Sequence, residues 1–288
     1  MQARPLGADA PAVSAIGFGA MPLSIQGRPD ATAAGRVIEA VLDAGVSLID
    51  TADVYCLDNT DIGHNERLIA KALKAWSGPR DSVLVATKGG LSRPKGRWES
   101  DAHPRRLRQA CEQSLEALGV ECIALYQLHA PDPRVPFTDS VGTLADLQRA
   151  GKLRWVGLSN VSVDEIKIAE SILPVVSVQN RFNLFYRAPL GDGVVNYCRR
   201  RGIAFIAYSP VGGSQYNKQL IRHSVLGAIA ERYERSAHAV ALAWLLAQAP
   251  NIIPIPGARS VEHALDSVRA ADLTLEDSDL QAISEARF

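Results

Sequence analysis

VSLIDTADVY, residues 46–55, runs an apolar strand pattern straight into an acid, Asp50, and five residues later reaches a tyrosine, Tyr55. Leu48 and Ile49 close the apolar run, and Tyr55 lies in the connection to a helix that begins near His64. An ionisable group at the C-terminal end of a buried strand points to a site. An acid after a strand also commonly caps a turn, a reading open to Asp50 and to Asp53.

On either side of this stretch the chain alternates strand and helix patterns. Upstream, Pro5, Gly7, Pro11 and Gly17 punctuate short apolar pieces, which predicts a small hairpin cap over residues 1–17. IGFGAM at 16–21 reads as a strand, and ATAAGRVIEAVLDAG at 31–45 as a helix stopped by Gly45. Downstream come a helix near 64–76, strand VLVAT at 83–87, a helix near 104–118, strand 122–128 and a helix near 138–150. Strand 153–159, helix 162–172, strand 175–179, helix 191–201 and strand 203–209 follow, then helical stretches over 220–248, strand 252–256 and a last helix pair.

Continuous apolar strands such as VLVAT and IAFIAY suit a parallel sheet buried on both faces, and helical crossovers are how parallel strands connect. Eight such units predict an α/β fold, a closed (β/α)8 TIM barrel with an N-terminal β-hairpin cap and an extra C-terminal helix. An open doubly wound sheet would carry GxGxxG after its first strand. GFGAMP at 17–22 has proline where the third glycine belongs, and no stretch divides the chain, so residues 1–288 read as one domain.

Composition narrows the function. The 288 residues are 47% hydrophobic, and 31 basic and 31 acidic residues are interspersed, which leaves no electrostatic footprint for nucleic acid or an anionic membrane. The opening MQARPLGADA lacks the charged and apolar regions of a signal peptide, and no run approaches a membrane span, so a cytoplasmic protein is expected. The four cysteines, Cys56, Cys111, Cys122 and Cys198, form no CxxC pair and no zinc-type cluster, which predicts reduced thiols and no metal.

In a barrel the loops after the strands share one rim, so strand ends can be read together. The second strand offers Asp50 and Tyr55, the third Lys88 and the fourth His129. Singly, the lysine reads as a solvated loop charge and the histidine as a structural residue. Together they suit proton delivery to a carbonyl oxygen. The Lys88 ammonium is expected to pair with Asp50 and to lower the Tyr55 phenol, while His129 donates to or orients the carbonyl. No protein group supplies a hydride, so a nicotinamide is required.

With IGFGAM, IDTADVY (49–55), ATKGG (86–90), LHAPDP (128–133), GLSN (157–160), SVQN (177–180), AYSP (207–210) and IPIPGAR (253–259), the chain resembles an aldo-keto reductase from end to end. The resemblance implies a TIM barrel that binds NADPH without a Rossmann domain, with Asp50, Tyr55, Lys88 and His129 as catalytic residues and Tyr55 as general acid in reduction. It places Ser159, Asn160 and Gln179 on the nicotinamide carboxamide and Tyr208 against its ring. Ser209, Pro210 and Gly212 fall in the pyrophosphate region, and Arg259 at the 2′-phosphate or adenine.

Departures from the family pattern fall at the adenine site and at the substrate pocket. Asp266 and Ser267 stand where a Glu-Asn pair commonly meets adenine, Ala130 where a tryptophan often follows the histidine, and Met21 where many members carry another. Trp98, in the basic 91–103 loop, reads equally as a pocket wall or as packing. The C-terminal half, notably SPVGG at 209–213, is similar to bacterial pyridoxal reductases, which implies a small carbonyl substrate such as an aromatic aldehyde. A reaction running mainly toward oxidation of an alcohol or sugar, and a cofactor-binding regulatory subunit with little turnover, are the alternatives. The segment 56–69 is longer than the tyrosine-to-helix link expected of the family.

Overall fold

A computed structural model describes residues 1–7 and 9–288. Two short strands, β1 (Ala3–Pro5) and β2 (Ala12–Ser14), pair antiparallel as the expected hairpin, with residue 8 of its connection outside the described residues. The strand and helix alternation then follows: β3 (Phe18–Gly19), α1 (Ala31–Asp43), β4 (Leu48–Asp50), α2 (His64–Ala75), β5 (Leu84–Gly89), a small antiparallel pair β6 (Leu91–Ser92) and β7 (Glu99–Ser100), α3 (Pro104–Leu118), β8 (Ile123–Leu128) and α4 (Phe137–Arg149). The second half runs β9 (Leu153–Ser159), α5 (Val163–Glu170), β10 (Val175–Arg181), α6 (Ala188–Gly191), α7 (Val194–Arg201), β11 (Ala204–Tyr208), α8 (Gly213–Leu220), α9 (Ser224–Arg232), α10 (Ala237–Gln248), β12 (Ile252–Pro254), α11 (Val261–Arg269) and α12 (Asp277–Glu285).

Eight of these strands form one parallel sheet, in the order β12-β11-β10-β9-β8-β5-β4-β3. It curls on itself: the Gly17 and Gly19 amides donate to the Pro254 and Pro256 carbonyls at 2.9 and 3.0 Å. Both edges therefore satisfy their backbone groups, as a barrel requires. The seam depends on a missing side chain, because a Cβ on Gly19 would lie 2.7 Å from the Ile255 carbonyl oxygen.

Side-chain alternation sorts each strand between two cores. Ile49, Val85, Val156, Val178 and Phe205 pack outward with the helices. Leu48, Leu84, Ala86, Leu125, Ala204, Ile206 and Ile253 meet inside the barrel, where Leu6 and Val13 of the hairpin join them and plug its N-terminal end. Continuing the inward parity toward the C-terminal ends gives Asp50 above Leu48, Lys88 above Ala86 and Gln127 above Leu125. The polar layer is the top of the hydrophobic interior.

Local chemistry supports the helices that frame this end. Asp30 caps α1, Ser162 and Glu165 close a capping box on α5, and Ser236 and Ser260 cap α10 and α11; each cap contributes about 1 kcal/mol. The helical stretch expected from residue 220 starts seven residues earlier, because Gly212 and Gly213, both at positive φ, turn the chain into α8. The β6–β7 hairpin was not signalled by alternation, and positive φ at Gly90, Lys95 and Gly96 shapes it instead. All four cysteines are free thiols. Among the described residues, no helix is long and apolar enough to cross a membrane.

The seam gives a paired prediction. Gly19→Ala must displace backbone and is expected to cost about 2 kcal/mol, read as a lower Tm. Gly142→Ala, in α4 with nothing near the added methyl, is expected to stabilise by about 0.5–1 kcal/mol through lower unfolded-chain entropy.

Candidate active site

Lys88 is the centre of the polar layer. It is fully buried, and its Nζ donates to Asp50 Oδ1 at 2.6 Å, the Thr51 carbonyl at 2.8 Å and Tyr55 Oη at 2.9 Å. Three donors meet three acceptors, which is how an ammonium survives without water. Asp50 is held from its other oxygen: Oδ2 accepts from Gln179 Nε2 at 2.7 Å and from Gln127 Nε2 at 3.3 Å. The His129 ring stands edge-on to the Tyr55 ring, centroids 5.8 Å apart. Strands β4, β5 and β8 thus bring Asp50, Tyr55, Lys88 and His129 to one place.

The protonation states differ in one respect from the sequence expectation. Burial pushes the Tyr55 phenol well above its ordinary value, and Asp50, Tyr208 and Asp53 add to the rise. Lys88 was expected to lower it, but burial lowers Lys88 as well, against the pull of Asp50. In so dry a site the cost of a phenolate outweighs the attraction of one shared cation. Burial, then Lys88, holds His129 well below the usual imidazole range. The resting site pairs a neutral phenol with a neutral imidazole.

The remaining candidate residues divide by how their polar atoms are engaged. Ser159 Oγ donates to the Gln179 carbonyl at 2.7 Å, and Asn160 Nδ2 to the His129 carbonyl at 2.9 Å. Tyr208 Oη donates to Asn160 Oδ1 at 2.8 Å, fixing the phenol ring at the strand end. Tyr208 and Asn160 line a cleft of about 450 Å³ with Ser162, Asn180, Arg181 and Tyr186. Asn160 and Ser209 both carry positive φ, 60° and 49°; strain of this kind gathers where a ligand is clamped. After Ser209 and Pro210, the loop reaches Gly212 and enters α8, whose N-terminus has no side-chain cap. Free amides at a helix N-terminus form a ready anion cradle.

Two residues expected at the adenosine end are already engaged. Arg259 Nε and Nη2 donate to the Pro22 and Gln26 carbonyls at 3.2 and 2.8 Å, tying the segment between β12 and α11 to the loop after β3. Asp266 Oδ2 accepts from Ser236 Oγ at 2.5 Å. Of the pocket residues, Met21 packs beside Ala52, Val54 and Tyr55. Trp98, 45% exposed, stands edge-on to both Tyr55 and His129, centroids 6.2 and 6.5 Å apart. Ala130 follows His129 at the end of β8.

Asp53 is not the turn cap that the sequence suggested. It is fully buried and paired to Arg106 Nη2 at 2.7 Å, beside the equally buried Glu66. Burial pushes it up to about 7 despite Arg106, with Glu66 adding to the rise. Sequence reading also missed Gln127, although its inward parity inside LYQL was a usable signal. Arg93, read with Lys95 and Arg97 as a basic residue of the 91–103 loop that could draw an anionic substrate group, is instead buried and donates to the Cys56 and Leu57 carbonyls.

The chain matches the model of the aldo/keto reductase family over residues 15–287, and it belongs to that family. An uncharacterized oxidoreductase of Schizosaccharomyces pombe is 36% identical over 278 residues, spanning 95% of this chain and 86% of that protein. A thermostable aldo-keto reductase solved with the inhibitor epalrestat superposes with a TM-score of 0.84 at 27% identity, covering 99% of each chain. An aldo/keto reductase of Klebsiella pneumoniae, solved with NADP and acetate, shares the fold at 24% identity and a TM-score of 0.82, covering 98% of this chain and 94% of that one.

The buried Asp53 carboxyl predicts a pH signature. Between its ordinary value of 3.8 and about 7, the folded carboxyl holds a proton that the unfolded chain has released. This group therefore removes stability as pH rises through that window and adds no further change above it. Asp53→Asn is expected to flatten that part of the Tm profile against pH, even if it lowers Tm throughout by stranding Arg106.

Proposed function

We propose that this member of the aldo/keto reductase family is an NADPH-dependent carbonyl reductase, acting through residues 1–288 as one catalytic domain on aldehydes, aromatic ones such as pyridoxal among them. The observation that carries the reading is Lys88 Nζ, which bridges Asp50 and Tyr55 Oη beside the His129 ring. A phenol held neutral by burial is a stored proton, and its position at the barrel mouth suits delivery to a carbonyl oxygen. His129, uncharged, can offer a ring N–H to the same oxygen and stabilise the charge that gathers there. Lys88 and Asp50 then act on Tyr55: as the proton leaves, the ammonium stabilises the phenolate in a dry site where that attraction is strong.

The residues around the cleft fit a nicotinamide dinucleotide. Ser159, Asn160 and Gln179 would meet its carboxamide, the anchored Tyr208 ring its nicotinamide face, and Ser209, Pro210 and Gly212 with the α8 amides its pyrophosphate. Bound there, the reduced nicotinamide supplies the hydride that goes to the carbonyl carbon while Tyr55 supplies the proton to oxygen. Arg259 would meet the 2′-phosphate as a cation whose plane is fixed by the Pro22 and Gln26 carbonyls, with Asp266 near the adenine. Met21, Trp98 and Ala130 would shape the substrate pocket.

Two measurements test the reading. Tyr55→Phe is expected to lower kcat on a good aldehyde by about 100- to 10,000-fold with cofactor affinity little altered. Near wild-type turnover by that variant would sink Tyr55 as the donor. Arg259→Ala is expected to raise the KM for NADPH by about tenfold, a loss of one charge-assisted contact, and to leave that for NADH almost unmoved. Equal rates of the wild type with both cofactors would remove the role assigned to Arg259.

A further inference from the structure

The segment after Tyr55 and the loop after β5 are joined by Arg93. Its backbone amide donates to Asn59 Oδ1 at 2.6 Å, and its carbonyl accepts from the Asn59 amide at 3.1 Å. Arg93 is 5% exposed, and its guanidinium donates through Nη2 to the Cys56 and Leu57 carbonyls at 3.2 and 3.4 Å. Nε and Nη1 are buried with no hydrogen-bond partner, and among the described residues no carboxylate stands in ion-pair contact with the charge, Asp58 acting on it only from a distance. Burying a cation so incompletely satisfied is costly. What offsets the cost is the indole of Trp98, whose ring centre lies 3.8 Å from the guanidinium carbon.

Trp98 connects this cation to the chemistry. One contact of its ring is Arg93; others are Tyr55 and His129, edge-on at 6.2 and 6.5 Å. The turn that doubles the chain back over Arg93 needs positive φ at Lys95 and Gly96, and a Cβ on Gly96 would stand 3.3 Å from the Leu57 carbonyl. The long link after Tyr55, the hairpin and the indole therefore form one clasped unit. Left alone, an indole exposed to this extent on a hairpin with two-residue strands would sample several rotamers.

We propose that Arg93 is a positioning residue that sets substrate choice. By stacking on Trp98 and tying the hairpin to residues 56–59, it holds the indole upright beside Tyr55 and His129 as a fixed aromatic wall, which selects carbonyl substrates with a flat ring over short aliphatic ones. The wall supplies ring contact at no entropy cost at the moment of binding. The inference rests on the reading of Tyr55 as proton donor, and its test separates the two.

The experiment measures kcat/KM for benzaldehyde and for propanal with NADPH, in the wild type, Arg93→Met, Trp98→Ala and the double variant. Arg93→Met is expected to lower the benzaldehyde-to-propanal ratio by about tenfold, the worth of a desolvated cation–π stack, mainly through KM for benzaldehyde. In the Trp98→Ala background the same substitution should move the ratio less than about twofold, because the residue it acts through is gone. Equal losses on both aldehydes, or an undiminished effect without Trp98, would overturn the inference while turnover that depends on Tyr55 left the proposed function standing. A wild type inactive on both aldehydes would overturn both. Should Arg93→Met not fold, Asn59→Ala loosens the clasp from its far side, and it must shift the ratio in the same direction or the proposal fails.

Discussion

An ammonium buried among three acceptors is the constraint on which this site is built. Lys88 stands on the inward face of β5, one step above the apolar filling of the barrel, where no water reaches it. A charge in that position is tolerated only with a counter-charge and full hydrogen bonding. Asp50 supplies the first from the adjoining strand β4, and the Thr51 carbonyl and Tyr55 hydroxyl complete the second. Asp50 in turn needs its second oxygen occupied, and Gln127 and Gln179, from β8 and β10, do that. Four strands are thereby tied together across the barrel axis by one charge pair.

Much of this was legible because strands are regular. A continuous apolar run ending in Asp50, and another leading to Lys88, place both groups on the rim of a parallel barrel from the sequence alone. The same parity rule would have found Gln127, the one polar residue on the inward face of β8. What periodicity could not reach were contacts made by irregular backbone. Trp98 and Arg93 sit on a hairpin of two-residue strands, and their pairing depends on positive φ at Lys95 and Gly96 rather than on any spacing. Asp53 was misread for a related reason: its partner Arg106 comes from α3, 53 residues away, and only tertiary packing turns a turn acid into a buried one.

The protonation of Tyr55 shows how depth decides between competing effects. Proximity of an ammonium argues for a lower phenol pKa, and Lys88 lies at 2.9 Å. Desolvation argues the other way, and it acts on the lysine too, so the cation that would stabilise the phenolate is itself weakened. At rest the site favours a neutral phenol that accepts a hydrogen bond from the Lys88 ammonium. In the proposed reaction, a phenol that easily lost its proton would have none to give when a carbonyl oxygen began to gather charge; a buried one retains it until that charge appears.

The clasped loops take up the task that the barrel leaves open. Strand ends can fix a proton donor to within a fraction of an ångström, but their side chains point into a common layer already filled by Lys88, Asp50 and the two glutamines. If the substrates are aldehydes, as proposed, nothing in that layer is free to tell one from another. Discrimination has to come from above, from segments with no regular structure of their own, and such segments hold a side chain still only when something ties them down. The sites following His129 and within the first loop carry small or flexible side chains, Ala130 and Met21, so the aromatic surface is carried in on the hairpin instead. Arg93 is what a hairpin of that size lacks by itself: a buried anchor whose face stacks on Trp98 and whose edge donates to the Cys56 and Leu57 carbonyls, so that the length added after Tyr55 becomes the support for Trp98.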